Sequence, residues 1–358
     1  MARKSLSSSR LLEFVGVEEK TPVWIGLDVH KRSYHVALRR ADGLCDAWVT
    51  AADPDLLVRQ LAPISERISA IVYEAGPTGY SLERVLKGNG YPVAVVAPSR
   101  IPRPATNQAK TDKLDCLKLS EYAARGMIEG ISTPTEQEGA ERSVLRRRNQ
   151  LVDSTRKTKQ RIKGFLLFHG IEEEPGVRTW SRLVKEKLSK LALHPDLQFV
   201  LRSLLRQLRY EEDELARADK RLASLARGKR HSEVIKNLKT VPGVGNVVAM
   251  AFRMELFRPE RFRGAEEVCS YLGLAPAIRQ SGEKRRGGWL MHSGQTRLRS
   301  VLIEAAWMWR AKDPWARSKY QNHLGRCGIP QKAITALARR LAVILWRLSV
   351  ENRTYVTV

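Results

Sequence analysis

Ala109-Lys110-Thr111-Asp112-Lys113-Leu114-Asp115-Cys116-Leu117-Lys118-Leu119 sets two carboxylates three residues apart where a helical pattern begins. Leu114, Leu117, Tyr122 and the two alanines that follow recur at helical rather than strand spacing. Asp112 and Asp115 therefore share one helix face. Thr111 or Asp112 also suits the N-cap, and acids are favoured in a first turn, so a capped surface helix accounts for the pair taken alone. The residues that precede the helix carry the argument further.

Residues 23–29 (VWIGLDV) form an apolar run broken by Asp28, followed by alternating segments around 33–40 and 44–50, with a tight turn at Ala41-Asp42-Gly43. A helix is predicted over 53–66. Ser69-Ala70-Ile71-Val72-Tyr73-Glu74 then reads as a buried strand ending in an acid. A second helix after Tyr80, a strand over Tyr91–Ala97 and the helix with Asp112 and Asp115 complete the unit. Three strands, then helix, strand, helix, strand, helix describe an α/β domain, a mixed sheet covered by helices.

Asp28 and Glu74 interrupt or end strands that otherwise look central. An ionised carboxylate there is costly unless it meets a cation or faces a solvated cleft. A salt bridge explains either acid singly; four acids on two strands and one helix suit a pair of hard divalent cations better, the arrangement used in phosphoryl transfer. His30 is a further candidate ligand, or simply a hydrogen-bonded histidine.

The chain has 358 residues, 43% of them hydrophobic, enough for two or three domains. Its 63 Lys and Arg against 38 Asp and Glu leave a formal charge of +25. So large an excess repels itself unless a polyanion neutralises it, which points to nucleic acid. No apolar run reaches the roughly 18 residues needed to span a bilayer. Residues 1–22 lack a signal-peptide core and read as a mobile tail. Cys45, Cys116, Cys269 and Cys327 form no CxxC pair, which predicts neither zinc nor disulfides and a reducing cytoplasm.

From about 133 the character changes. A long helix is predicted with Leu145, Leu151, Val152, Ile162, Phe165 and Leu166 on one side; between 141 and 163 it has nine basic and two acidic residues, a charge run that reads either as a solvated face or, favoured by the self-repulsion of so many cations, as a phosphate-contacting one. A second long helix, 198–227, repeats Leu201, Leu204, Leu208, Glu211, Leu215, Ala218, Leu222 and Leu225 as a coiled-coil seam. The seam closes either on the first helix or on another chain; the acid at Glu211 favours the second. The domains are then 1–22, 23–132, 133–232 and 233–358. In the last, Leu238–Asn246 (LKTVPGVGN) reads as a helix-hairpin-helix turn, or a plain helix-helix turn. Arg279–Trp289 (RQSGEKRRGGW) reads as a cationic loop with a serine beside a glycine. Most such steps are only turns, but a nucleophilic serine needs these surroundings.

Ile25-Gly26-Leu27-Asp28-Val29-His30-Lys31, Glu74-Ala75-Gly76-Pro77-Thr78-Gly79, Lys110–Asp115, and Gly273-Leu274-Ala275-Pro276 through Ser281-Gly282 occur in an order that resembles the DEDD transposases of the IS-one-ten group. The resemblance covers nearly all the chain after residue 22. It implies a RuvC-like, ribonuclease-H-type mixed-sheet domain, a helical coiled-coil segment and a mainly α C-terminal transposase domain. Asp28, Glu74, Asp112 and Asp115 are the implied ligands of Mg2+, two ions, and Ser281 the implied nucleophile. A departure at Met291-His292-Ser293-Gly294, where a Ser/Thr-Lys pair is expected, makes Ser293 a second candidate. Implied partners are donor and target DNA, a non-coding bridge RNA and further copies of the chain, as dimer or tetramer, in a cytoplasmic, nucleoid-associated protein. A structure-selective nuclease using activated water and a non-catalytic nucleic-acid-binding scaffold are the competing readings.

Overall fold

The computed structural model describes residues 8–16, 21–102, 112–172, 179–281, 284–290 and 294–356, with backbone alone for 8–10, 112, 113, 277–281 and 284–289. The chain divides into two compact units, Met1–Pro134 and Thr135–Val358.

The first unit comprises helix α1 (Ser8–Val15), strands β1 (Val23–Val29), β2 (Ser33–Arg40) and β3 (Cys45–Ala51), helix α2 (Pro54–Leu61), strand β4 (Ile68–Glu74), helix α3 (Ser81–Gly88), strand β5 (Val93–Val96) and helix α4 (Asp112–Ala124). The strands lie in the order β3-β2-β1-β4-β5. β1 pairs antiparallel with β2 and parallel with β4, so the sheet is mixed. Alternation along the strands sends Ile25, Leu27, Ile71 and Tyr73 to one face, where they pack with Leu57, Leu61, Leu82 and Leu86 of α2 and α3. On the other face Val72 and Val96 pack with Leu119 of α4. Asp53 caps α2, its carboxylate accepting from the amides of Asp55 and Leu56 at 2.9 and 3.2 Å.

The mobile tail expected over residues 1–22 is corrected at α1. Leu11 and Val15 are buried in the core, and the Phe14 carbonyl accepts from Arg40 at 2.8 Å. Leu11, Leu12, Phe14 and Val15 form an apolar helical face, and its burial against the sheet outweighs the serine-rich start.

The second unit is mainly helical. α5 (Glu136–Phe168), α6 (Arg182–Ser189) and α7 (Pro195–Arg227) lead into α8 (Ser232–Leu238), α9 (Asn246–Leu256) and α10 (Ala265–Tyr271). Strands β6 (Pro276–Ser281) and β7 (Lys284–Leu290) follow, then α11 (Thr296–Lys312), α12 (Pro314–Cys327) and α13 (Pro330–Glu351). Thr135 and Glu138 form a reciprocal capping box at the start of α5. α5 and α7 run antiparallel: Ile162 and Leu166 meet Leu201, Leu205 and Leu208 at one end, while Leu145 joins Leu222 and Ala226 at the other. The seam thus closes within one chain, against the leaning towards a second chain. Arg148 to Asp219 at 2.6 Å and Lys159 to Glu212 at 3.2 Å tie the same register.

The lower part of this helical hairpin and helices α8 to α13 share one core, with Trp309 fully enclosed. The stretch around Ser281, expected as a loop, is a two-stranded antiparallel hairpin. Only Gly282 and Glu283 separate its strands, a spacing that suits a two-residue connection.

Candidate functional site: carboxylates at central strand ends and a serine on a hairpin

In the parallel register of β1 and β4, Leu27 lies beside Tyr73 and Gly26 beside Val72. Asp28 and Glu74 each follow by one residue, at the carboxyl ends of adjacent central strands. Alternation puts Asp28 on the face of Gly26 and Glu74 on that of Val72. α4 covers that same face. A Cβ on Gly26 would sit 2.6 Å from the Ser120 amide nitrogen and nearer still to the Cys116 carbonyl, so only glycine lets helix and strand approach this closely. Ala37, the cross-strand partner of Gly26, is buried and also small.

Asp115 is half-buried on α4, the helix that covers the face carrying Asp28 and Glu74. The thiol of Cys116 feels the charge of Asp28. Burial first, then the negative charge of Asp28, with Asp115 adding to it, push the thiol up to about 12, so it stays protonated. Asp28 is partly exposed and Glu74 exposed, as groups open to an incoming ligand are. The backbone of Asp112 begins α4; its side chain lies outside the described residues. Among the described residues no three His, Cys, Asp or Glu side chains converge as a metal cluster.

His30 reaches back to Asp28, Nε2 to Oδ2 at 3.1 Å. Its ring stands edge-on to His35, centroids 5.6 Å apart, and His35 is the cross-strand partner of Asp28. Spacing gave no sign of His35; its signal lies only in the β1–β2 register.

In the second unit Ser281 ends β6 and pairs in register with Lys284 at the start of β7. The base of this hairpin is held. Gly294 adopts φ +103°, and a Cβ there would meet the Gly273 Cα at 2.8 Å and the Tyr271 carbonyl at 2.9 Å. Gln295 N–H donates to that carbonyl at 3.2 Å, and Arg299 donates to the Gly273 carbonyl at 3.0 Å. Ser293 lies outside the described residues.

The stretch from Leu238 to Asn246 joins α8 to α9 as a helix-turn-helix connection. Gly243, at φ +91°, touches α11, where a Cβ would meet Trp309 N at 2.9 Å. Gly245 precedes α9 without a side-chain cap. Beside the turn is an open depression of about 540 Å³ lined in part by Arg227, Lys236, Lys239, Thr240 and Asn246.

The basic face of α5 is only partly free for a ligand. Arg142 is buried against Glu255 at 2.7 Å, and Arg148 and Lys159 are paired across the seam as above. Arg146, Arg147, Arg156, Lys157 and Arg161 are exposed along the helix.

Comparison with known proteins bears on both units. A family model of the IS110 DEDD type, described as a transposase, matches residues 25–170, the span holding all four acids. A second, the transposase IS116/IS110/IS902 family, matches residues 235–321, the span holding Ser281 and the α8–α9 turn. The transposase for insertion sequence element IS1533 of Leptospira borgpetersenii is 29% identical over 81% of this chain and 86% of its own length. A putative transposase, y4qE, of Sinorhizobium fredii is 28% identical over 82% of this chain and 73% of its own. A probable family 20 transposase of Pseudomonas aeruginosa is 26% identical over 92% and 98%.

Proposed function

Because the chain belongs to the IS110 family of DEDD transposases, we propose that it cuts and rejoins DNA strands using the four acids and Ser281, under the guidance of a bridge RNA. The observation that supports this reading is that Asp28 and Glu74 stand at adjacent strand ends on the sheet face that α4 covers.

Asp28, Glu74 and Asp115 offer carboxylate oxygens that are exposed or half-buried, and such donors fit a hard divalent cation such as Mg2+. Asp28, Glu74, Asp112 and Asp115 would hold two such ions, which supply positive charge to the phosphate oxygens. His30, bonded to Oδ2 of Asp28, orients that carboxylate.

The Ser281 hydroxyl attacks phosphorus. A new phosphorus–oxygen bond forms to serine, the bond to the departing strand breaks, the serine proton passes to solvent and the departing oxygen takes up a proton. A hydroxyl on another strand then attacks the phosphoserine and restores the serine, so rejoining needs no nucleotide cofactor. In a dimer or tetramer the acids of one subunit work with the serine of another. The exposed cations of α5 and the turn before α9 hold RNA and DNA through their backbones.

The test is a denaturing gel of labelled DNA after incubation with protein, with co-expressed flanking non-coding RNA and Mg2+. A protein–DNA adduct that is lost in Ser281→Ala supports the recombinase. Cleavage that survives Ser281→Ala without any adduct identifies a water-using nuclease instead. Binding with no cleavage under any divalent cation returns the scaffold reading.

A further inference from the structure

The β6–β7 hairpin is built with two unlike faces. Ser281 pairs with Lys284, Gln280 with Arg285, Arg279 with Arg286 and Ile278 with Gly287. Directly paired residues share a face, and residues two apart along a strand return to it. The positions of Arg279, Ser281, Lys284 and Arg286 therefore fall on one face. Gln280 and Arg285 fall on the other, with Ile278 and Gly287.

Such a register is unfavourable for the hairpin alone. Arg279 and Arg286 are like charges at directly opposed positions, which destabilise a strand pair unless an anion lies between them. Lys284 adds a third cation beside the serine. Gly294, which follows β7, packs closely against Gly273, which precedes β6.

We infer that Arg279, Lys284 and Arg286 hold the scissile phosphodiester on the face that carries Ser281, while Arg285 serves no such role. This rests on the serine reading above and specifies which cations act with it. A phosphodiester carries one negative charge and gains more as serine attacks; cations fixed on the nucleophile's own face stabilise that added charge. Two arginine forks can also hold two phosphate oxygens at once.

The experiment compares Arg279→Gln, Lys284→Gln, Arg286→Gln and Arg285→Gln, each removing one charge from the same hairpin. Adduct formation is followed in single turnover at saturating DNA, with melting temperature as the check on folding. Each of the first three is expected to lose about tenfold or more in rate, while Arg285→Gln stays within about threefold. Arg286→Lys should recover part of the loss. Equal losses in Arg285→Gln and Arg286→Gln, or wild-type rates in all three same-face variants, overturn the inference. An adduct that persists in Ser281→Ala brings down the serine reading itself, and is seen before any arginine variant is compared.

Discussion

Gly26 and Cys116 are in direct backbone contact: the Cα of the strand residue faces the carbonyl of the helix residue with no room for a methyl group between them. Everything on the acid-bearing face depends on this contact, because it sets the depth at which α4 lies over β1 and hence where Asp115 stands relative to Asp28.

Replacing Gly26 by Ala should therefore unseat α4. The obstructing atoms belong to backbone, not to a side chain that can swing aside, so the expected loss is about 3 kcal/mol or more. Urea unfolding followed by circular dichroism gives the value, and DNA cleavage should fall with it. An unchanged midpoint would contradict the close approach.

Glu74→Gln and Asp115→Asn should separate chemistry from folding. Glu74 is exposed at a strand end and Asp115 only half-buried, so stability should shift by about 0.5 kcal/mol or less for Glu74→Gln. Strand cleavage should fall by about a hundredfold or more in both if they bind the metal. Isothermal titration with Mg2+ checks the cause, since binding should weaken even where no DNA is present.

Arg142 and Glu255 form a buried ion pair in the second unit, both side chains about 10% exposed. Arg142→Met leaves Glu255 with the more distant Arg146, at 3.9 Å. A cost of about 3 kcal/mol is expected, and the double variant with Glu255→Met should recover much of it. A double-mutant cycle on thermal unfolding measures the difference.

Glu211 offers the opposite sign. It is buried in the α5–α7 seam; Gln207 donates to its Oε1 at 3.0 Å, while Oε2 has no hydrogen-bond partner among the described residues. The neighbouring buried hydroxyls of Thr155 and Thr158 are unpaired as well. Glu211→Leu should stabilise the hairpin by about 1–2 kcal/mol, since the exposed Gln207 can turn to water. A lower melting temperature in the variant would show that the carboxylate is needed for the seam.

His231 is buried beside Glu141, 3.0 Å from Nε2 to Oε2. Burial lowers its proton affinity more than Glu141 raises it, so its folded value lies below the ordinary 6.5. Between those values the unfolded chain binds more protons than the folded one. Its contribution to stability is complete above about pH 6.5 and is lost as pH falls through the folded value. The His231 ring resonances should titrate below 6.5, and His231→Asn should flatten that part of the stability profile.

The sequence by itself determined the local elements and the chemistry they carry. Strand periodicity gave β1, β2, β3, β4 and β5 in order, the polyanion partner followed from a charge of +25, and Asp28 and Glu74 stood out because carboxylates are costly at the ends of apolar strands. Such properties are local, written in spacing and composition. Tertiary structure decided the rest, because register and burial depend on residues far apart in the chain. It placed Asp28 beside Glu74 through the β1–β4 pairing, and His35 across from Asp28. It turned the apparent tail at Leu11 and Val15 into core, and closed the Glu211 seam on α5 of the same chain. It also made a hairpin of the stretch around Ser281, since a strand alternation hidden among arginines, which all look solvent-facing, shows only when the opposing strand supplies the pairing.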